Sequence, residues 1–198
     1  MGRTRSFDET DAARAALGVF WDRGFEATAV PELEEATGLS RSSIYHSFGS
    51  KRGLFDAAVD AYLTEVVRPR LAPLQTDNVA PGALVDYLTG LRAAMADPAL
   101  PLASNGCLLL NTATTSVADD ETARAVVRAY RLELSSAIAK GMAAAHPDLD
   151  AAASQRTASA CTAYVIAAMT VVRVDPDAAL SYLDDAIGLA AEAASHAN

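Results

Sequence analysis

The sequence is poor in the residues that characterise several protein classes. Its 198 residues include only two cysteines, Cys107 and Cys161, too few for the disulfide framework of a small secreted domain. Aromatic residues make up 6% of the chain, and the formal net charge at pH 7 is −9. Such a net charge argues against a generally basic nucleic-acid coat protein. It still allows a local DNA-reading surface, because the electrostatic field at the contact determines whether DNA binds there.

Long hydrophobic runs are also absent from the sequence. The first residues carry two cations but no apolar run behind them, so they do not form a signal peptide. The longest uncharged stretches are 98–118, which contains two prolines and several polar residues, and 157–172. The second is shorter than the roughly 20 residues that cross a bilayer. We therefore expect a soluble, cytoplasmic protein with no membrane partner.

Alanine is the residue that the chain has in abundance. There are 44 alanines, and 51% of all residues are hydrophobic, so the apolar content comes from the best helix former rather than from β-branched residues. We find no strand-like alternation and no repeat of 20–50 residues. The sequence predicts an all-α fold with about nine helices.

Capping residues divide the first part of the chain into four helices. Their predicted starts are Asp8, Thr28, Ser40 and Ser50. Their predicted ends are Gly24, Gly38, Gly49 and Pro69. Short polar side chains accept hydrogen bonds from the first turn of a helix, whereas glycine and proline end it.

Beyond Pro81 the helices become longer and the charge changes. The candidates are 82–95, 106–116, 121–145, 149–174 and 176–196. Residues 1–52 hold 7 Lys or Arg and 8 Asp or Glu, whereas the remaining residues hold 9 and 17. We predict an N-terminal domain over 6–66 and a larger C-terminal domain over 67–198.

Two short helices joined by a tight turn predict a helix-turn-helix at about 29–48. Gly38 permits a left-handed turn residue and Ser40 can start the second helix. Ile44 and Phe48 lie four residues apart on its core face, which leaves a polar outer surface with one cation and no acid. The outward residues are Arg41, Ser42, Ser43, Tyr45 and His46. Such a surface suits the donors, acceptors and phosphates of a DNA major groove.

A family resemblance strengthens this interpretation. The runs that carry it are 24–28 (GFEAT), 36–51 (ATGLSRSSIYHSFGSK) and 54–55 (LF). Over about residues 6–56 the chain resembles the DNA-binding domain of the TetR family of transcriptional regulators. The resemblance implies a homodimeric repressor with an N-terminal three-helix helix-turn-helix domain and a helical ligand-binding and dimerisation domain. It would bind a palindromic operator and release it when a small-molecule effector binds.

The resemblance also implies roles for individual residues. Thr28, Tyr45 and Lys51 match family positions that contact phosphates. The positions that approach base edges or nearby backbone are matched by Arg41, Ser42, Ser43 and His46, while Arg3 and Arg5 could form an N-terminal arm. One departure is an acidic second helix with Glu32, Glu34 and Glu35. We expect these glutamates to point away from DNA or to complement the helix N-terminus.

The C-terminal domain contains residues that could line an effector pocket. Such a pocket needs apolar walls and a few polar groups that orient the ligand. The candidates are Tyr62, Tyr87, Met95, Cys107, Asn111, Thr115, Tyr130, Tyr164 and Met169. Cys107 has two interpretations: a thiol that senses oxidants or electrophiles at a helix start, or a small buried side chain. Cys161 is expected to pack in the core.

An apolar stripe on the last two helices predicts a dimer interface. The candidate residues are Tyr164, Ala168, Leu180, Leu183, Ile187, Ala190 and Ala194. Two such helices from each subunit would form a four-helix interface. The alternative is a core within one chain.

No motif in the sequence supports an enzymatic function. The three histidines are scattered without metal-ligand spacing, and no phosphate-binding loop or nucleophile motif is present. We predict no catalytic residues, no metal and no cofactor. The alternative to a regulator is a helical ligand- or partner-binding protein that has lost sequence-specific DNA binding, and the acidic second helix favours it.

Overall fold

The computed structural model describes residues 8–192, and all regular structure in that range is helical. The predicted all-α fold is confirmed. The described chain divides into two compact units whose boundary falls between Arg68 and Pro69. No helix within residues 8–192 is both long and apolar enough to cross a membrane.

Four α-helices form the first unit. They are α1 (Glu9–Ala27), α2 (Val30–Thr37), α3 (Arg41–Phe48) and α4 (Lys51–Tyr62). Asp8, Ser40 and Ser50 cap α1, α3 and α4 through their side chains, as predicted. Gly38 ends α2 with φ 68°, a left-handed conformation that glycine adopts without steric cost.

Aromatic rings form the core of this unit. The ring of Phe20 is 5.1 Å from that of Phe55 between centroids, and Phe25 lies at the same distance from Phe55. Leu33 of α2 and Ile44 of α3 are also buried. Their burial turns the opposite side of α3 towards solvent.

Pro69 does not end the fourth helix, contrary to the prediction. A π-helical turn, Leu63–Val67, leads into α5 (Arg68–Leu71). The Arg68 N–H donates to the carbonyl of Leu63, five residues earlier. The wider turn relieves the clash that a proline ring makes with the carbonyl four residues before it, so the helix continues.

The second unit contains six further helices. They are α6 (Ala83–Ala96), α7 (Pro101–Asn105), α8 (Leu108–Thr112), α9 (Glu121–Ala145), α10 (Ala151–Val171) and α11 (Pro176–Glu192). Short 3₁₀ turns lie at Ala72–Leu74 and Ser116–Asp119. The helix predicted over 106–116 is shorter than expected, and Pro101 begins α7 because the first turn needs no N–H from it.

Close backbone packing organises the second unit around α10. This helix packs along α11 and α9, and α11 also packs on α6. Gly106, at φ 62°, lies so close to the carbonyl of Met169 in α10 that a Cβ atom would collide with it. Glycine at this position therefore permits the α7–α8 connection to approach α10.

A similar approach joins α3 to α4 and generates a prediction. A Cβ atom on Gly53 would collide with the Phe48 carbonyl, so Gly53→Ala should lower the free energy of unfolding by about 1–3 kcal/mol. Urea denaturation followed by circular dichroism measures this effect. Gly18→Ala is the control because nothing lies near its added Cβ in α1, and it should stabilise the protein by up to about 1 kcal/mol. Equal effects of the two substitutions would contradict the close contact.

Candidate nucleic-acid interface

The exposed side of α3 is polar and carries no acidic side chain. Ile44 is 1% exposed and anchors the helix, whereas Tyr45 on the other side is 39% exposed. Arg41, Ser42 and His46 are exposed as well. Hydrogen-bonding side chains and one permanent cation therefore face solvent, as the sequence predicted.

Two of these residues contact each other across one helical turn. The Arg41 guanidinium carbon lies 5.5 Å from the centroid of the Tyr45 ring, within the range of a cation–π interaction. The contact keeps both side chains on one side of α3. The guanidinium can still donate hydrogen bonds from its edge, because the ring interacts with its face.

A serine cluster caps the start of α3. The Ser43 N–H donates to Ser40 Oγ at 3.2 Å. Ser40 Oγ also lies 2.9 Å from the hydroxyl oxygens of both Ser42 and Ser43. Ser43 is half-buried and belongs to this cap, whereas Ser42 is exposed and can turn its hydroxyl towards an approaching ligand.

The start of α4 combines a lysine with a capped helix N-terminus. Ser50 Oγ accepts from the Gly53 N–H at 3.0 Å, and the first turn of α4 contains no acidic residue. Lys51 Nζ lies 4.5 Å from the centroid of the Phe25 ring. Partial burial lowers the pKa of Lys51, while the carboxylates of Glu26 and Glu32 oppose that shift. A cation beside a helix N-terminus is a suitable place for a phosphate.

The glutamates of α2 are engaged at helix starts. Glu32 accepts from the Ala29 N–H at 2.7 Å through one oxygen and pairs with Arg23 at 2.7 Å through the other. Glu34 Oε1 accepts from the Arg41 N–H at 2.6 Å. Two of the three acidic side chains therefore complement the N-termini of α2 and α3, in agreement with the expectation for this helix.

Thr28 corrects the sequence analysis in two respects. The N-cap of α2 is Ala29, one residue later than predicted. Thr28 is 1% exposed, and its hydroxyl donates to the Gly24 carbonyl at 2.7 Å. With its only hydroxyl proton engaged in the interior, the side chain cannot contact a phosphate in this conformation and acts as a structural link.

Comparisons with known proteins agree with this geometry. Residues 13–58 match the family model described as "Bacterial regulatory proteins, tetR family". The HTH-type transcriptional repressor ComR of Escherichia coli (strain K12) is 33% identical over 115 residues, covering 58% of this chain and 53% of that protein. BdcR, another HTH-type transcriptional repressor of that strain, is 34% identical over 87 residues, 44% of each chain. The chain thus spans about half the length of these curated relatives.

Solved structures match over nearly the whole chain. A TetR-family regulator from Chloroflexus aurantiacus superposes with a TM-score of 0.72 at 29% identity, covering 96% of both chains. The regulator CifR, solved as a cysteine mutant with 26-base-pair operator DNA, superposes at 0.76 with 27% identity, covering 93% of this chain and 98% of that one. Residues 13–58 thus match a TetR-family domain, and the chain as a whole has the fold of TetR-family regulators. The proteins that it resembles are named as transcriptional regulators, and their family is not enzymatic.

Several predicted effector residues meet inside the second unit. The Cys107 thiol donates to Tyr130 Oη at 3.5 Å, and the Tyr130 hydroxyl donates to Met169 Sδ at 3.7 Å. Cys107 is fully buried. The contacts bring together residues that precede α8 or lie on α9 and α10.

Tyr87 adjoins the same region from α6. Burial raises the pKa of Tyr87, and the thiols of Cys107 and Cys161 raise it further. Burial also raises the pKa of Cys161 to about 12, so this thiol remains protonated at neutral pH and packs in the core as predicted. The pKa of Tyr87 thus depends on both cysteines, while Arg70 acts to lower it.

A groove of about 670 Å³ opens beside Tyr87 in the second unit. It is lined by Pro69, Arg70, Pro73, Thr76, Asn78, Ala80, Gly82, Ala83, Asp86, Tyr87, Gly90, Leu91 and Ala94. Most of its walls are apolar, with a few polar groups among them. Arg70 was not among the predicted residues, because a cation after a proline carried no pocket signal.

The remaining effector candidates lie elsewhere. Tyr62 belongs to the first unit, where its ring lies edge-on to Trp21 with centroids 4.9 Å apart. Met95 is buried in the core and does not line the groove. Asn111 donates to the Asn105 carbonyl and Thr115 to the Thr112 carbonyl, so both stabilise local backbone. These four residues do not line the groove, and a role for them in effector binding stays a prediction.

The predicted dimer stripe divides into two groups. Ala168, Leu183 and Ala190 are at most 1% exposed within the single chain, so they pack in its own core and cannot face a partner. The partly exposed group is Tyr164, Leu180 and Ile187. The sequence analysis missed Tyr182, whose ring centroid lies 6.2 Å from that of Tyr164. Ala194, like Arg3 and Arg5, lies outside the described residues.

The contacts of Thr28 predict a structural rather than a DNA-binding phenotype. Thr28→Val removes the donor to the Gly24 carbonyl and should lower the free energy of unfolding by about 1–2 kcal/mol. Thr28→Ser keeps the hydroxyl and serves as the control. Denaturation measures stability, and fluorescence anisotropy at several salt concentrations measures DNA binding. A lower salt dependence of DNA binding with unchanged stability would restore Thr28 as a phosphate contact.

Proposed function

We propose that the protein is a ligand-responsive, homodimeric transcriptional repressor that binds a palindromic operator through α3. One observation carries the proposal: α3 exposes Arg41, Ser42 and His46 without an acidic side chain, and Lys51 begins the helix that follows. The relatives named as repressors and the operator-bound CifR structure support it. As a bacterial-type repressor, it would act in the cytoplasm.

The chemistry of the surface suggests how the contacts are divided. Arg41, Ser42 and His46 would approach base edges in the major groove, with Ser43 completing the start of the helix. Tyr45 and Lys51 would bind phosphates and set the register of α3. In a dimer, two such helices would enter successive major grooves about 34–36 Å apart.

The dimer would form through α10 and α11. The apolar side chains that keep some exposure there are Tyr164, Leu180, Tyr182 and Ile187. Burying them against a second copy removes apolar surface from water. Two-fold symmetry of that contact would match the symmetry of a palindromic operator.

The effector would bind in the groove beside Tyr87. Its apolar walls suit an apolar or aromatic molecule, and its few polar groups would orient that molecule. Such a ligand releases DNA only if it binds the DNA-free conformation more tightly than the DNA-bound one. Two groove residues, Pro69 and Arg70, belong to α5, which follows the π-helical turn directly.

The alternative of a protein that has lost DNA binding depended on the acidity of α2. Glu32 and Glu34 are engaged at helix starts, so that acidity has a structural explanation and does not favour the alternative.

Selection on random double-stranded DNA at near-physiological salt tests the proposal. Enrichment of an inverted repeat would support sequence reading by a dimer. A folded, dimeric protein that enriches no sequence, with or without a panel of small molecules as co-repressors, would contradict it.

Lys51 provides a sharper test of the DNA contact. If Lys51 binds a phosphate, Lys51→Ala should weaken binding to all duplexes alike, because phosphates carry no base identity. It should also reduce the slope of log affinity against log salt by about one unit per bound protomer. Lys140→Ala is the matched control, since Lys140 is exposed on α9. An unchanged slope for Lys51→Ala would remove this residue from the contact set.

Gly90 allows the effector groove to be filled without a clash. Nothing lies within 4 Å of a Cβ atom added to Gly90, which lines the groove. Gly90→Leu should therefore preserve folding and DNA binding but abolish ligand-induced stabilisation. Thermal shift with a library of small aromatic and aliphatic compounds measures this, using Gly18→Leu as the control. Compounds that stabilise wild type and Gly90→Leu equally would place the effector elsewhere.

A further inference from the structure

The start of α3 already holds a negatively charged group. Glu34 lies on α2, yet its Oε1 accepts from the backbone N–H of Arg41 at 2.6 Å, seven residues later. Arg41 is the first residue of α3, the helix with the exposed polar face. Glu34 is half-buried, which keeps its carboxylate beside this helix start.

A helix N-terminus attracts anions because its first N–H groups lack partners within the helix and its dipole is positive there. At a DNA-binding surface, that place would ordinarily attract a backbone phosphate. In α3, Glu34 takes the Arg41 N–H and Ser40 takes the Ser43 N–H. A phosphate arriving there would lose two donors and meet a negative charge.

The start of α4 presents the opposite arrangement. Its cap is the neutral side chain of Ser50, its first residue is Lys51, and its first turn contains no acid. The two helix starts therefore differ in the group that occupies them: a carboxylate accepts the first N–H of α3, whereas only a neutral hydroxyl caps α4. Even with Glu26 and Glu32 acting on Lys51, the backbone N–H groups at the start of α4 stay more available to a phosphate than those of α3.

We propose that Glu34 is a specificity-determining residue that limits sequence-independent DNA binding by holding its own carboxylate where a phosphate would bind at the start of α3. The inference rests on the proposed function. Because phosphate contacts provide most non-specific affinity, removing one from α3 leaves the base contacts of Arg41 and His46 a larger share of the total binding free energy. The same hydrogen bond holds the first turn of α3, so the residue has a structural role as well.

Two substitutions separate these roles. Glu34→Gln keeps an oxygen that can accept from the Arg41 N–H but removes the charge, whereas Glu34→Ala removes both. Asp148→Asn is the matched control, because it makes the same change in net charge at an exposed position of the second unit. Thermal denaturation establishes that each variant is folded.

The experiment measures binding of a fluorescein-labelled random-sequence 26-base-pair duplex between about 50 and 200 mM salt. Both Glu34 variants should bind about two- to fivefold more tightly than wild type, as expected from removing a charge about 7 Å from a phosphate in water. Their affinity should also fall more steeply with salt. Asp148→Asn should behave like wild type. If Glu34→Gln leaves both the affinity and the salt slope unchanged, the charge role is wrong.

Lys51→Ala, measured in the same series, separates failure of this inference from failure of the proposed function. Wild-type binding that depends on Lys51 but not on the charge of Glu34 would overturn the inference alone. A folded wild type that binds no duplex would overturn both.

Discussion

The surface proposed to meet DNA depends on one close contact between α3 and α4. Gly53 sits against the carbonyl of Phe48, so α4 begins directly beside the last turn of α3. Arg41 and Tyr45 contact each other on α3, and Lys51, the first residue of α4, packs its amine over the Phe25 ring. A side chain at position 53 would push the start of α4 away from the end of α3, and Lys51 would move with it.

The protein has a net charge of −9, so carboxylates near such a surface need partners that compensate their charge. In the first unit, carboxylates pair with arginines or cap helix starts. Glu32 pairs with Arg23 and Glu65 with Arg14, while Glu34 caps α3. Arg14 lowers the pKa of Glu65 through their hydrogen bond, which keeps that carboxylate ionised. The position and partners of each charge therefore matter more to this surface than the total charge does.

Local features were predictable from the sequence because their causes lie within a few residues. The caps at Asp8, Ser40 and Ser50 depend on one side chain and the next three N–H groups. Features that depend on distant partners were not predictable. Threonine is a residue type that often caps helices, but the burial of Thr28 depends on how α1 packs. The contact of Cys107 with Tyr130 joins segments far apart in sequence, and neither residue's helical spacing indicates the other.

The dimer stripe shows a further limit of helical periodicity. Apolar residues recur on α11 at the expected spacing, yet this helix packs on both α10 and α6 of its own chain. A pattern with period 3.6 identifies a buried side but does not say whether the chain itself or a second copy buries it. Leu183 is covered by its own chain, whereas Ile187 keeps some exposure.

The π-helical turn at Leu63–Val67 has a consequence for how related sequences align. A turn closed by a bond from residue 68 to residue 63 contains one residue more than an α-helical turn. It therefore acts as a one-residue insertion inside a continuous helix, and the buried positions before and after it follow different helical phases. A relative with an ordinary α-helical turn at this place would need one residue fewer to keep the same buried faces. A single-residue gap in an alignment here would thus mark a change in helix type rather than the loss of a loop.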